Sequence, residues 1–270
     1  MPTINTNVAA LFAQNSLKVN ERAQSSAMQQ LSTGSRVNSA KDDAAGLAIG
    51  QTMTAQIKGL NQAVRNLNDG INMMQTAEGA LIETSNMLQR MRELAVQSSN
   101  GTYSSDQRGY LQTEYAALST QIGKVASETS WNGTPLLTSA TFTIQAGAVS
   151  GQTIAVTISA MTISGLSLSS TDTVANVTGA RAAITSLDTA LNAVNSQRAT
   201  IGAGINQMTY GADNLSNISA NTTASRSTIM DTDYATASTQ LSKTQIIQQA
   251  ATAMLAQANQ QPQSVLALLK

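Results

Sequence analysis

The chain has 270 residues, and its 15 basic and 15 acidic side chains give a formal net charge of zero, so no charge surplus favours nucleic acid or an anionic membrane. It contains neither cysteine nor histidine, which excludes disulfides, thiolate nucleophiles, histidine bases and the common zinc ligand sets. We therefore predict no cofactor, no metal, no nucleic-acid or membrane partner and no enzymatic activity.

The apolar segments are short. None reaches the roughly 20 residues that a helix needs to cross a bilayer. The N-terminus, Met-Pro-Thr-Ile-Asn-Thr-Asn, also lacks a basic region followed by an apolar run. If the protein leaves its cell, we expect export without a cleaved signal peptide.

The first predicted helix spans residues 4–31. Its apolar residues at helical spacing are Ile4, Val8, Leu11 and Phe12. This stripe is too narrow to build a core by itself. Residues 32–35, Ser-Thr-Gly-Ser, break the pattern and begin a linker. Asp42 and Asp43 near its end are interpreted as helix caps, because nothing nearby completes a calcium loop.

A much longer helix is predicted over residues 44–99. Its apolar residues step by three and four, at Ile57, Leu60, Val64, Leu67, Ile71, Met74, Leu81 and Leu88. This spacing is typical of a heptad seam, and an offset stripe at Met87, Met91 and Leu94 indicates a second neighbour. A capping box at residues 104–107 opens the next helix. That helix carries Leu111, Tyr115, Leu118, Ile122 and Val125.

The middle of the chain changes its periodicity. Two alternating runs flank a Gly/Ser-rich stretch at residues 147–151, which predicts a β-hairpin near 140–160. Helix returns near residue 180 with a second heptad seam. Its members are Ile184, Leu187, Leu191, Val194, Ile201, Ile205, Met208 and Leu215. We expect this seam to pack antiparallel on the first one.

The last predicted helix begins near Asp231 or Asp233, whose carboxylates suit the positive end of a helix. Two narrow stripes at opposite ends of one chain predict termini that pair with each other and with neighbouring subunits. The residues assigned to this self-assembly are Ile4, Val8, Leu11, Phe12, Ile247, Met254, Leu255, Val265, Leu266, Leu268 and Leu269. Such a subunit indicates a polymer rather than an enzyme.

The predicted fold class is therefore mainly α. It combines a long antiparallel, coiled-coil-like helical rod, a small β-hairpin and a terminal helix pair. We expect a terminal domain formed by residues 1–43 and 231–270. Residues 44–230 would form the rod domain, with three long helices and the hairpin.

Several stretches resemble the bacterial flagellin family, whose members form the flagellar filament. The matching motifs are residues 30–47, 88–98, 231–235 and 256–260. The resemblance covers about the first 140 residues and the last 60 to 90. In many flagellins, large outer domains separate the rod helices, whereas this chain has room for little more than a hairpin. It resembles the short members that keep only the filament core.

The resemblance implies a structural subunit that self-assembles into an extracellular flagellar filament for motility. The terminal helices would line the filament channel. The implied partners are further copies of the chain, the cap and hook-junction proteins, an export chaperone and the type III export apparatus. The alternative is a hook–filament junction protein, which resembles flagellin at both ends.

The motif at 88–98 also matches the stretch that a host Toll-like receptor recognises in the family. The resemblance carries this role onto Leu88, Gln89, Arg90, Glu93, Leu94, Gln97 and Glu114. The alternative interpretation is a solvated helix face that makes lateral contacts between subunits.

Overall fold

The computed structural model describes residues 6–169 and 173–267, with side chains as far as residue 260. The described residues form five helices and two small antiparallel sheets. The helices are α1 (Val8–Thr33), α2 (Ala44–Ser98), α3 (Ser105–Glu128), α4 (Val177–Met230) and α5 (Tyr234–Ala267). The strands are β1 (Ser130–Trp131), β2 (Thr134–Pro135), β3 (Ala140–Gln145) and β4 (Thr153–Ile158). The predicted mainly α class is confirmed.

The chain divides into two compact units. The terminal unit comprises residues 1–57 and 220–270, and the central unit comprises residues 58–219. These divisions fall inside α2 and α4. The predicted domain boundaries fall at the ends of those helices, where α2 begins at Ala44 and α4 ends at Met230.

In the central unit, α2 and α4 run antiparallel. The Ser219 hydroxyl donates to Asn61 at 2.9 Å near one end. Arg92 pairs with Asp188 at 2.6 Å near the other. The pairing predicted for the two seams is therefore confirmed within this unit.

The core of the central unit consists mainly of the predicted seam residues. Those from α2 include Leu67, Met74, Leu81 and Leu88, and those from α4 include Leu187, Val194, Ile201 and Met208. Tyr115 and Ile122 from α3 join them. The offset residues Met91 and Leu94 are also buried, so α2 packs on more than one neighbour.

The β-hairpin is confirmed, with β3 and β4 paired from Ala140 opposite Ile158 to Gln145 opposite Thr153. A second hairpin, with strands of two residues each, forms at β1 and β2. Asn132 and Gly133 have φ values of 49° and 80°, the conformation that Asn-Gly supplies to tight hairpins.

The segment after β4 also belongs to the core, which the sequence patterns do not predict. Its buried side chains are Met161, Leu166, Leu168 and Val174. The Gln112 side chain accepts from the Val174 backbone N–H at 2.6 Å, and the Ser98 hydroxyl donates to the Val174 carbonyl. These bonds tie an irregular segment to α2 and α3.

In the terminal unit, α1 and α5 run antiparallel. The Asn7 amide donates to the Ala258 carbonyl at 2.8 Å, and the Asn20 amide donates to the Thr244 carbonyl at 2.7 Å. Beyond α1, the backbones of Ser35 and Asp231 form a β-bridge. The terminal helix pair is thus present and closed at one end by main-chain bonds.

The predicted helix boundaries in this unit have identifiable causes. Gly34 ends α1 in the left-handed conformation with φ of 71°. Asp43 accepts from the Gly46 N–H at 2.8 Å, and Asp233 accepts from the Ala235 N–H at 2.9 Å, so both serve as caps. Asp42 does not cap α2. Its carboxylate instead accepts a hydrogen bond from the hydroxyl of Ser39, within the same linker, at 2.8 Å. That bond is the main cause of its lowered pKa.

Candidate functional site

Two surfaces of the described residues carry the functional predictions. The first is the terminal apolar face, the name we give to the exposed large apolar residues of α1 and α5 other than Tyr234, which carries a hydroxyl. Its members are Val8, Leu11, Phe12, Val19, Met28, Ile246, Ile247 and Met254. Phe12 is 70% exposed and Met254 66% exposed.

This face exists because α1 turns its smaller residues toward α5. The less exposed positions of α1 are mainly alanine, asparagine and glutamine, with Leu17 and Leu31 among them. The buried members are Asn20 and Ala27. Most of the bulkier apolar side chains of α1 therefore remain in solvent within a single chain, which is costly unless another surface covers them.

The predicted self-assembly residues divide into three groups. Val8, Leu11, Phe12, Ile247 and Met254 belong to the terminal apolar face. Leu255 is half-buried and lies on the less exposed side of α5. Ile4, Leu268 and Leu269 lie outside the described residues, and so do the side chains of Val265 and Leu266. From the sequence, Val19, Met28 and Ile246 are not assigned to self-assembly. Each is a large apolar residue that the apolar stripes of the two terminal helices do not include.

The second surface surrounds Arg90 on α2. Its Nε donates to Glu114 Oε1 on α3 at 2.8 Å, and its Nη1 donates to Glu93 Oε2 at 2.9 Å. The bond to Glu114 is the largest cause of the raised pKa of Arg90, and the bond to Glu93 is the next. One exposed arginine therefore organises two carboxylates from two helices.

The remaining predicted recognition residues have different environments. Gln89 and Gln97 are exposed, and Gln97 donates to the Tyr103 hydroxyl at 3.1 Å. Leu88 and Leu94 are only 0% and 1% exposed and belong to the core. Their side chains pack beneath the exposed polar residues, and the recognition role assigned to them by resemblance stays a prediction. We define the Arg90 surface as Gln89, Arg90, Glu93, Gln97 and Glu114.

Neither surface includes a group of residues that could hold a metal ion. Among the described residues, no three histidine, cysteine, aspartate or glutamate side chains group closely enough to hold a metal ion. No helix in the described ranges is long and apolar enough to cross a membrane.

Comparison with known proteins identifies the family. Residues 4–141 match the profile described as "Bacterial flagellin N-terminal helical region", and residues 184–269 match "Bacterial flagellin C-terminal helical region". The stretch between the two matches contains most of the β3–β4 hairpin and the buried segment after it. The two family-model matches therefore cover most of both units.

Individual relatives agree with this assignment. A flagellin of Halalkalibacterium halodurans is 43% identical over 270 residues, covering 99% of each chain. Flagellin B of Vibrio cholerae is 34% identical over an alignment of 371 positions, covering 98% of this chain and 99% of the relative. That alignment is longer than this chain, so the Vibrio protein contains residues with no counterpart here.

A solved structure is also similar. The crystal structure of Bacillus cereus flagellin superposes with a TM-score of 0.50 at 32% identity, covering 56% of this chain and 88% of the other. Sequence and structure thus agree over long and overlapping parts of the chain. The protein belongs to the bacterial flagellin family.

Proposed function

We propose that this chain is the structural subunit of a bacterial flagellar filament and that the terminal apolar face is its assembly surface. Family membership over the full length of a 43% identical flagellin supports the subunit role and the location in the flagellum, outside the cell. The observation that carries the surface assignment is the exposure of large apolar side chains on α1 and α5.

The size of the apolar contribution supports association through this face. Complete burial of a phenylalanine, leucine or methionine side chain contributes about 1.5–3 kcal/mol. Burial of several such residues by neighbouring subunits would therefore contribute substantially to the free energy of association. Charge contributes little, since only Lys18, Glu21, Arg22 and Lys243 are charged among residues 8–33 and 234–260.

Seeded polymerisation tests this assignment. We expect Phe12→Ser to raise the critical concentration for filament growth by about tenfold or more, since each 1.4 kcal/mol of association energy is a factor of ten. The matched control is Val149→Ser, which removes another exposed apolar residue, 63% exposed, from the central unit. Equal effects of the two substitutions would contradict the assignment of the face.

The hook–filament junction alternative predicts a different result. A junction protein should bind to filament or hook ends without growing long polymers from seeds. The full-length match to flagellins favours the filament subunit, and no observation favours the junction role. Electron microscopy of seeded mixtures separates the two functions.

Several partners follow from membership of the family and remain proposals. We expect export through the flagellar type III apparatus with the help of a chaperone, and growth of the filament under a cap protein. Partners at the hook junction would contact the first subunits. Co-purification of the chain with each candidate from a flagellated cell tests these interactions one by one.

The Arg90 surface is proposed as a recognition site for a host Toll-like receptor. Its exposed guanidinium and carboxylates suit a polar interface, whereas Leu88 and Leu94 would support the helix from below. We expect Arg90→Asp to reduce receptor signalling with no change in helicity. Arg65→Asp, which changes another exposed arginine of α2, is the matched control. A dose response unchanged from the parent in Arg90→Asp would show that the site is not used.

A further inference from the structure

The contact between α1 and α5 is built mainly from small and polar side chains. On α5, the less exposed positions follow a four-three spacing, at Ala237, Leu241, Thr244, Gln248, Ala251, Leu255 and Ala258. On α1, alanines recur at Ala10, Ala13, Ala23 and Ala27. Alanine buries little area, so outside the few leucines of the contact (Leu17, Leu31, Leu241 and Leu255) sliding one helix along the other changes the buried apolar area only slightly. Apolar packing alone therefore specifies the register weakly.

Two asparagines, Asn20 of α1 and its N-cap Asn7, donate across this contact to main-chain carbonyls of α5. Asn20 is 7% exposed, and its amide donates to the carbonyl of Thr244, which is 2% exposed. Asn7 donates to the Ala258 carbonyl with its amide and accepts from the Ala10 N–H with its side-chain oxygen. The acceptors on α5 lie two heptads apart, whereas the donors are 13 residues apart, because Asn7 precedes α1 as its N-cap.

We propose that Asn20, assisted by Asn7, is the residue that specifies the register of the α1–α5 pair. A buried polar side chain in a helix contact disfavours nearby registers, because alignments that bring a bulkier side chain opposite it leave it unsatisfied. Here the amide reaches a main-chain carbonyl of α5 beside a small side chain. That approach requires the two helices to be close at the Asn20 layer.

Slipped alignments lose this bond. A slip of three residues moves one helix by about 4.5 Å and places Asn20 opposite Leu241. A slip of four residues in the other direction places it opposite Gln248. In either case, a larger side chain separates the helices at this layer and leaves a buried amide without its acceptor, which is unfavourable. Asn20 therefore acts against neighbouring registers and adds little net stability to the correct one.

The register has a consequence for assembly, and this consequence rests on the proposed function. It sets how Phe12 of α1 and Met254 of α5 are aligned within the terminal apolar face. A slipped pair would present the same apolar side chains in a different pattern. Neighbouring subunits in a helical filament need one repeated pattern.

Engineered disulfides in the full-length chain test the register directly, because the natural chain has no cysteine. The native pair is Ala13→Cys with Ala251→Cys, one heptad from the Asn20–Thr244 layer. The slipped pair is Ala13→Cys with Gln248→Cys, which face each other after a three-residue slip. A disulfide requires Cα atoms about 4.4–6.8 Å apart, so each pair reports one alignment. Oxidation also traps a paired population that is only transient.

The deciding comparison is between Asn20→Ala and Asn15→Ala. Asn15 is an exposed residue of the same helix and serves as the control. In the parent and in Asn15→Ala, we expect the native pair to cross-link about tenfold faster than the slipped pair, and in Asn20→Ala we expect the two rates to agree within about twofold. Because the substitution leaves alanine in a contact already rich in alanine, a packing role alone would preserve the ratio.

Three results would overturn the proposal. They are an unchanged ratio in Asn20→Ala, the absence of any preference in the parent, and the loss of both cross-links in Asn20→Ala, which would show general stabilisation of the pair. The measurement is made on the free chain. If the parent chain failed to grow from filament seeds, the proposed function would be contradicted. The ratio of the two cross-linking rates would not change, so the register proposal is tested separately.

Discussion

Leu67 of α2 offers the sharpest test of the central core. Its side chain is 0% exposed. A methyl group built on Gly211 of α4 would lie 3.4 Å from Leu67 Cδ1, so this leucine fills the space above a glycine. Truncation to alanine would leave a cavity that the facing residue has no side chain to fill.

We therefore expect Leu67→Ala to destabilise the protein by about 3–5 kcal/mol, the upper part of the range for buried leucines. The control is Ile82→Ala on the same helix, where the side chain is 40% exposed and we expect a loss under about 1.5 kcal/mol. Urea unfolding followed by circular dichroism gives both values. Trp131 is the only tryptophan and supplies a second, local probe.

A double-mutant cycle with Gly211→Ala sharpens the test. Alone, this substitution should stabilise α4 by up to about 1 kcal/mol, because glycine is a poor helix former. The tight approach of the new methyl group to Leu67 reduces this gain. In the Leu67→Ala background, the added methyl enters vacated space, and we expect a larger gain. A loss under about 1 kcal/mol for Leu67→Ala, or equal gains in both backgrounds, would refute the packing argument.

Two further predictions concern the terminal unit. The pKa of Asp233 is lowered, chiefly by the hydrogen bond from the Thr236 hydroxyl. The stability that the Asp233 carboxylate contributes is therefore fully present above the unfolded pKa of about 3.9. It is lost as the pH falls through the lower pKa of the folded state. Asp233→Asn should reduce the acid sensitivity of α5 helicity between about pH 4 and 2, and an unchanged acid titration would contradict this role. Because the narrow α1–α5 contact must offset about 1–2 kcal/mol of backbone entropy per residue, we expect fast amide exchange in both helices of the free chain and strong protection after polymerisation. Deletion of residues 231–270 should abolish filament growth and leave the central unit folded. Filament growth by the truncated chain, or strong amide protection of α1 and α5 in the free chain, would contradict the coupling of folding to assembly.

Much of the architecture is determined by local sequence. The heptad seams of α2 and α4 predict two long helices that pack on each other, because apolar residues repeated every 3.5 positions over many turns are typical of helices in long side-by-side contact. The caps at Asp43 and Asp233 and the terminator Gly34 follow from equally local chemistry. The family is evident from the sequence as well, since its motifs are contiguous along the chain.

Tertiary structure decides what periodicity leaves open. Leu88 and Leu94 satisfy both a core pattern and a recognition motif, and only packing shows that their side chains are buried. The irregular segment with Met161 and Leu166 has no period to detect, because its burial depends on distant contacts.

The terminal helices show the same division most clearly. Their apolar residues predict that they pair, but hydrophobicity alone would place Phe12 inside the pair rather than Asn20. The structure places Asn20 inside, where a carbonyl of α5 satisfies its amide, and leaves Phe12 outside. Sequence determines that each helix needs a partner. The choice of face depends on which buried groups find hydrogen bonds across the contact, and this is a property of the assembled pair.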